Sequence, residues 1–281
     1  MKKKVIGYIY DHTKLNTEDK KFLKIAKRLH VELVLFNISA VLSEDEIEEK
    51  ARRCKTILNN SGTALSNELI KTLYSIGAKV IENPSVSIYP EDKWLFFLSC
   101  IKNNIPTPKT ILLPENIPSI KRALKQFSSW PVIIKWVYGE RGRYVFLAKD
   151  TEDAVRIVKK LWSDAKERIP IIAQERVKSN VYRVTIIDGK IVQTAVKHNC
   201  GWKATGCYAN SFKKFKIEPS LRKMILKVYR LSKIKICGID LLKKDDSWLF
   251  LELNAEPSLR MFTEEHDKMI EAVLRCIKKL H

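Results

Sequence analysis

Along this chain the apolar positions alternate between short solid or period-two runs, which predict strands, and spacings near 3.6, which predict helices. Residues 5–10 (Val5 to Tyr10) and 31–37 form two such strands around an amphipathic helix near 17–29, with Asn16 and Thr17 as its candidate caps. A second unit repeats the theme: the patch Thr56–Leu58, a helix from Ala64 to Ile76 closed by Gly77, and a strand over Lys79–Ile81. Residues 1–90 therefore predict a small, mostly parallel, Rossmann-like α/β domain. Pro84 and Pro90 punctuate its end, and the domain boundary is placed near Pro90.

Beyond it the pattern changes. A helix from Glu91 to Asn103 leads into Ile105–Pro108, which cannot be helical throughout. Then follow a strand over 109–113, a helix over 118–128, strands over 131–136 and 144–148 around a loop with Gly139 and Gly142, and a helix over 151–164. Asp188 and Gly189 are the strongest hairpin signal in the chain. The stretch 198–217 is read as irregular, and a helix near 218–232, a strand pair and a final helix near 263–280 complete the chain. Interleaved hairpins and helices predict antiparallel α+β layers over 91–281, divided as 91–170 and 171–281.

Composition narrows the class without naming a function. The hydrophobic content of 45% suits a globular core, and no apolar run reaches the roughly 18 residues that span a bilayer. The N-terminal apolar stretch is too short for a signal peptide, so the expected location is cytoplasmic. Six cysteines without a C-x-x-C pair are read as reduced, buried thiols. His198, Cys200 and Cys207 are three soft ligands in one stretch, but their spacing fits no common zinc pattern. The net charge of +20 is uneven, because residues 1–90 hold 15 Lys/Arg against 11 Asp/Glu and the rest hold 37 against 21. A basic C-terminal region favours an anionic partner, although lysine-rich composition alone also produces one.

The chemistry concentrates in two places. Around the polar connection Lys243–Ser247, two apolar runs predict an antiparallel hairpin. With its turn centred on Asp246, Asp240 falls opposite Glu252, Cβ atoms roughly 5 Å apart, and Asn254 shares their face. Two facing carboxylates between apolar neighbours repel unless a cation lies between them, and oxygen donors suit a hard divalent ion that also binds nucleotide phosphates. In the second place, Lys135 lies within the apolar run Val132–Val137, ahead of a loop holding Gly139, Arg141, Gly142 and Arg143. That loop suits a flap whose N–H groups and cations cover phosphates.

The order Lys93, then Lys135 with its Gly139-Arg141-Gly142 loop, then Ile172 to Val177, Tyr182-Arg183 with Ile187 to Lys190, and finally Asp240, Glu252 and Asn254 resembles the ATP-grasp superfamily. Within it the chain is similar to the RimK/LysX branch of carboxylate-amine ligases, over about residues 85–270. The resemblance implies an ATP-grasp fold with two α+β subdomains clasping ATP. Lys93 and Lys135 would hold the α and β phosphates under the Gly139–Arg143 flap. Gln174, Glu175, Arg176 and Val177 would form the adenine-reading hinge. Asp240, Glu252 and Asn254 would bind two magnesium ions, with manganese as a substitute. Arg183 and Lys203 would meet the charge of the acyl phosphate and tetrahedral intermediate, and Trp202, Thr205 and Tyr208 would line the acceptor site.

The implied activity is an acid–amino-acid ligase: ATP activates a carboxylate as an acyl phosphate, and an amine displaces phosphate to form an amide. A LysX-like reaction would attach an amino acid to an acidic carrier protein, placing the chain in amino-acid biosynthesis. A RimK-like one would add glutamate to a protein tail or small cofactor. A dimer or tetramer fits the resemblance. The chain departs from the family's usual pattern at Val181, at Cys207–Asn210 and at Ala255–Ser258, which leaves substrate choice open. From another class, Phe212 to Lys216 interleaves aromatics with cations as a nucleic-acid binder would. The retained Asp240, Glu252 and Asn254 favour the enzyme.

Overall fold

The computed structural model describes residues 4–40, 43–84, 92–139, 142–165, 167–199, 201–203 and 209–280. Three sheets organise them. In the first, β1 (Lys4–Tyr10) runs parallel between β2 (Val31–Asn37) and β3 (Thr56–Asn59). Its strands are nearly solid apolar runs because both faces are covered. The helix α1 (Thr17–Arg28) and the C-terminal helix α8 (His266–Lys279) bury Phe22, Ile25, Ile270, Val273 and Leu274 against Ile6 and Tyr8. On the opposite face, α2 (Glu44–Arg53) and α3 (Ala64–Ser75) pack Ala51, Leu69 and Leu73 on Ile9, Phe36 and Ile57. The core of the first sheet is thus shared between residues before Pro90 and the last helix of the chain.

The predicted strand at Lys79–Ile81 shrinks to one parallel bridge, Val80 to Ile57. The helix α2 has no counterpart among the sequence-based elements. Only Ile47 and Ala51 are apolar in it, too sparse for a periodic stripe. Its signals are terminal: Ser43 accepts from the Glu46 N–H, three acids open the helix and Lys50, Arg52 and Arg53 close it, matching the helix dipole.

Asn16 is the cap of α1. Its side chain accepts from the N–H groups of Glu18 and Asp19, while the Asp19 carboxylate accepts from the Asn16 N–H at 2.8 Å and from the Tyr8 hydroxyl at 2.9 Å. Replacing Asn16 with alanine is expected to lower unfolding free energy by about 1 kcal/mol, measured by urea denaturation.

The second sheet is antiparallel, in the order β4 (Thr110–Leu112), β7 (Ile171–Glu175), β5 (Val132–Trp136), β6 (Val145–Ala148). Its apolar face packs on α5 (Ile117–Leu124) and α6 (Thr151–Ala165). Since β7 is inserted between β4 and β5, this layer continues past residue 170 to Glu175.

The third sheet has the order β10 (Ala209–Lys213), β9 (Lys190–Asn199), β8 (Val181–Ile187), β11 (Ile236–Lys244), β12 (Ser247–Asn254). Asp188 and Gly189 form the β8–β9 turn with φ of +48° and +75°, as a tight hairpin requires. The 198–217 stretch is more regular than the sequence suggests: β9 reaches Asn199 and β10 pairs with it, Phe212 opposite Lys197. Alternation sorts the faces. Val184, Ile186, Ile239 and Leu241 bury against α4 (Lys93–Lys102) and α7 (Pro219–Ser232), leaving Arg183, Thr185 and Asp240 on the other side. Phe215 packs partly buried against this core, edge-on to Tyr182 with ring centroids 5.1 Å apart and near-parallel to Trp248 at 6.1 Å.

Four described cysteines are unpaired, and burial pushes the Cys100 and Cys237 thiols up to about 12, as expected of buried inert thiols. Among the described residues no helix is long and apolar enough to cross a membrane.

Candidate active site

The polar face of the third sheet is built by strand alternation from β8, β9, β11 and β12. Asp240 pairs with Arg183 across β8 and with Glu252 across β12, so the register inferred from the sequence holds. The route differs in detail. The turn lies at Asp245 and Asp246, half a residue earlier than inferred, and a bulge between Asp240 and Leu241 restores the pairing. It also lets Phe250 and Leu253 face the same core.

Asp240 is 1% exposed. The repulsion anticipated between the facing carboxylates is relieved by protein cations: Arg183 donates from Nε to Oδ1 and from a terminal nitrogen to Oδ2 at 2.8 Å, and Lys197 donates to Oδ2 at 2.8 Å. Burial alone would push the Asp240 carboxyl up, but these two cations and their hydrogen bonds hold it well below the usual carboxylate range. Burial likewise opposes the Arg183 charge, and Asp240 outweighs it. Lys197 ends below the ordinary lysine value, because burial and the Arg183 charge together exceed the pull of Asp240.

Gly238 makes the arrangement sterically feasible. A Cβ there would lie 2.6 Å from an Arg183 guanidinium nitrogen and 2.9 Å from the Pro257 Cβ. The Asn254 amide nitrogen approaches the Gly238 carbonyl at 3.5 Å, which leaves its amide oxygen as the remaining donor atom. Two carboxylates and an amide oxygen on one face are hard oxygen donors and fit a magnesium-type ion. Among the described residues there is no cluster of three or more His, Cys, Asp or Glu, and beside the two carboxylates the same face offers the Asn254 amide oxygen.

The second sheet contributes the opposing wall. Lys135 on β5 is buried, and its ammonium donates to Gln174 Oε1 at 2.8 Å. The Gln174 amide nitrogen donates to Thr110 Oγ1 at 2.8 Å, and Thr110 donates to the Pro108 carbonyl at 2.9 Å, which fixes which end of the amide faces Lys135. Gln174 therefore anchors Lys135 with its side chain from within β7. Burial, then the nearby charge of Lys93, pushes the Lys135 ammonium down to about 8, and the charge of Glu252 on the other sheet opposes that shift. The two walls are thus close enough to act on each other electrostatically.

Lys93, the first residue of α4, donates to the Gly139 carbonyl at 2.6 Å. Lys203 donates to the Gly142 carbonyl at 3.4 Å and lies 5.7 Å above the Trp202 ring. Each end of the Gly139–Gly142 segment is therefore held by a lysine, with φ of +140° and +69° at the two glycines. Glu175 closes β7, receives the Lys109 N–H at 3.4 Å and pairs with Lys244. Arg176 and Val177 follow it, partly exposed. Arg141, Thr205, Tyr208, Cys200 and Cys207 lie outside the described residues. Sequence reasoning missed Lys197, Thr110 and Gly238. Lys197 carried a weaker signal than Lys135, since it follows the mixed run Ile191–Val196, with Gln193 and Thr194 in it, and is itself followed by His198.

The Lys135 value supplies a signed expectation. An anionic group bound at Lys135 would favour its charged form, so its binding at pH 8.5 would take up a proton and its affinity would fall as the pH rises above about 8. Calorimetry of ATP binding in buffers of different ionisation enthalpy checks this. Lys135→Met should abolish the uptake.

Residues 90–278 match the family model of the RimK-like ATP-grasp domain. The chain is 27% identical over 222 residues to the coenzyme gamma-F420-2:alpha-L-glutamate ligase of Methanocaldococcus jannaschii, covering 77% of each. It is 26% identical over 191 residues to a probable alpha-L-glutamate ligase of Histophilus somni, covering 66% of this chain and 62% of that one. In structure it resembles a RimK domain ATP-grasp protein of Sphaerobacter thermophilus with a TM-score of 0.76 at 14% identity, covering 96% and 98% of the two chains.

Proposed function

This chain belongs to the RimK-like ATP-grasp family of ATP-dependent ligases that form carbon–nitrogen bonds, and on that premise we propose that it joins an amino acid to the carboxylate of an acidic acceptor. The observation that carries the reading is the convergence of Lys135 and Lys93 from one wall with Glu252 and Asp240 from the other. Phosphates need cations, and a nucleotide-bound hard metal needs oxygen donors.

In this reading Lys93 and Lys135 bind phosphate oxygens, and the glycine-bearing segment covers them and excludes water. A divalent cation at Glu252 and Asn254, beside Asp240, would supply charge neutralisation on the phosphates. The substrate carboxylate attacks the γ-phosphorus, the bond to the ADP oxygen breaks, and the amine nitrogen then attacks the acyl carbon and expels phosphate. Arg183 faces the charge that develops on the acyl oxygen. No enzyme nucleophile takes part, so alignment and electrostatics carry the rate.

For the acceptor, an acidic carrier protein is supported by the concentration of positive charge in residues 91–281. A second reading, addition of glutamate to a protein tail or small cofactor, is favoured by the glutamate-ligase relatives. The test is ADP release with Mg-ATP against a panel of amino acids and acceptors: acidic carrier proteins, acidic peptides and small polycarboxylates. Acceptor-dependent turnover that is lost in Glu252→Gln supports the ligase. A KM for the acceptor that rises steeply with salt favours the carrier protein, and one insensitive to salt favours the small cofactor. No turnover with any pair counts against the reading.

A further inference from the structure

Asp240 and Glu252 face each other across β11 and β12, yet their surroundings are unequal. Both oxygens of Asp240 are engaged by cations, two bonds from Arg183 and one from Lys197. Glu252 is half-buried and makes no hydrogen bond or ion pair among the described residues. One cation suffices to neutralise Asp240. The second, Lys197, is 3% exposed and reaches the carboxylate from β9, the strand beyond that of Arg183.

Arg183 is the fixed member of this pair, since its side chain lies against Gly238 and is bidentate on Asp240. Lys197 makes a single bond through one flexible chain. Its ammonium occupies an Oδ2 lone pair and repels any cation that approaches the same oxygen. A divalent ion arriving alone meets Glu252 and Asn254 with Asp240 largely withdrawn. One arriving with nucleotide brings phosphate oxygens that replace the missing negative charge.

We infer that Lys197 is a positioning residue that holds the Asp240 carboxylate and keeps the divalent-cation site weak until nucleotide is present. This rests on the ligase reading, with Glu252 and Asn254 as cation donors. A merely structural lysine would, on removal, leave cation affinity unchanged or lower. Removal of a lysine acting as inferred would raise it, because the repelling charge is gone.

The experiment uses Mn2+ alone as the probe, with the full chain and no nucleotide, and reads free Mn2+ by electron paramagnetic resonance. Lys197→Met and Lys197→Gln are expected to bind Mn2+ more tightly than wild type, on the order of tenfold. Lys197→Arg should stay at the wild-type value. Lys197→Gln keeps a donor to Asp240 and so separates charge from fold. Adding Glu252→Gln to Lys197→Met should remove the gain, which assigns it to this site. Unchanged or weaker binding in both neutral variants overturns the inference, as does a gain that survives Glu252→Gln. Wild-type ADP release is measured alongside: its absence refutes the ligase reading, whereas the Mn2+ comparison alone decides the role of Lys197.

Discussion

Asp240→Ala is expected to cost about 3–5 kcal/mol of unfolding free energy and to abolish turnover, because it strands two buried cations. Arg183 and Lys197 are both nearly excluded from water, and Asp240 is the carboxylate that ion-pairs with each of them. Glu252→Gln should also stop turnover but cost about 1 kcal/mol or less, since no ion pair depends on it among the described residues. Urea denaturation of the two variants separates them. Combining Lys197→Met with Asp240→Ala should recover part of the loss, by removing one of the stranded charges. The pH dependence carries the same sign. A carboxyl held below its ordinary value stabilises the fold at pH above about 4, and that contribution is lost as the pH falls through the depressed value. Asp240→Ala should therefore lack this acid limb. Equal costs for the two variants would mean that the buried ion pairs do not pin the sheet.

What could be read from the sequence follows from how local each signal is. The Asp240–Glu252 pairing was legible because a short polar turn between two apolar runs fixes register to within a residue, and the bulge absorbed the remaining half. Lys135 was legible because a lysine in an apolar strand demands a partner. That its partner would be Gln174 was not, since the two are 39 residues apart and meet only when β7 inserts beside β5. The dual occupancy of Asp240 was hidden for a similar reason. It depends on the order β9-β8-β11, and no single-strand pattern reports strand order. The helix Glu44–Arg53 was hidden because its face to the core is narrow and its stability comes from caps and charges. Terminal signals, not periodicity, were the place to look.

Gly238→Ala should have the larger effect on catalysis than its size suggests. The residue lies on β11 opposite Thr185 and Asn254, and the space above it is filled by Arg183 and Pro257. An added methyl would meet the guanidinium at 2.6 Å, the Arg183 Cδ at 3.1 Å and the Pro257 ring at 2.9 Å. Proline cannot rotate away, so the arginine must move, and any movement breaks a bidentate bond to Asp240. Overpacking of this kind costs about 1–3 kcal/mol in stability. The catalytic cost should be greater. An arginine displaced from the developing oxyanion removes charge stabilisation worth on the order of a hundredfold or more in kcat. Nucleotide affinity should change little, because the atoms a Cβ at Gly238 meets first belong to Arg183 and Pro257, while Lys93 and Lys135 are held by other partners, the Gly139 carbonyl and Gln174. The expected signature is thus a large fall in kcat with KM for ATP nearly constant, measured by steady-state ADP release. A parallel rise in KM for ATP would instead show that the Arg183 seat is coupled to the phosphate wall. An unchanged kcat would show that Arg183 acts only as a structural partner of Asp240.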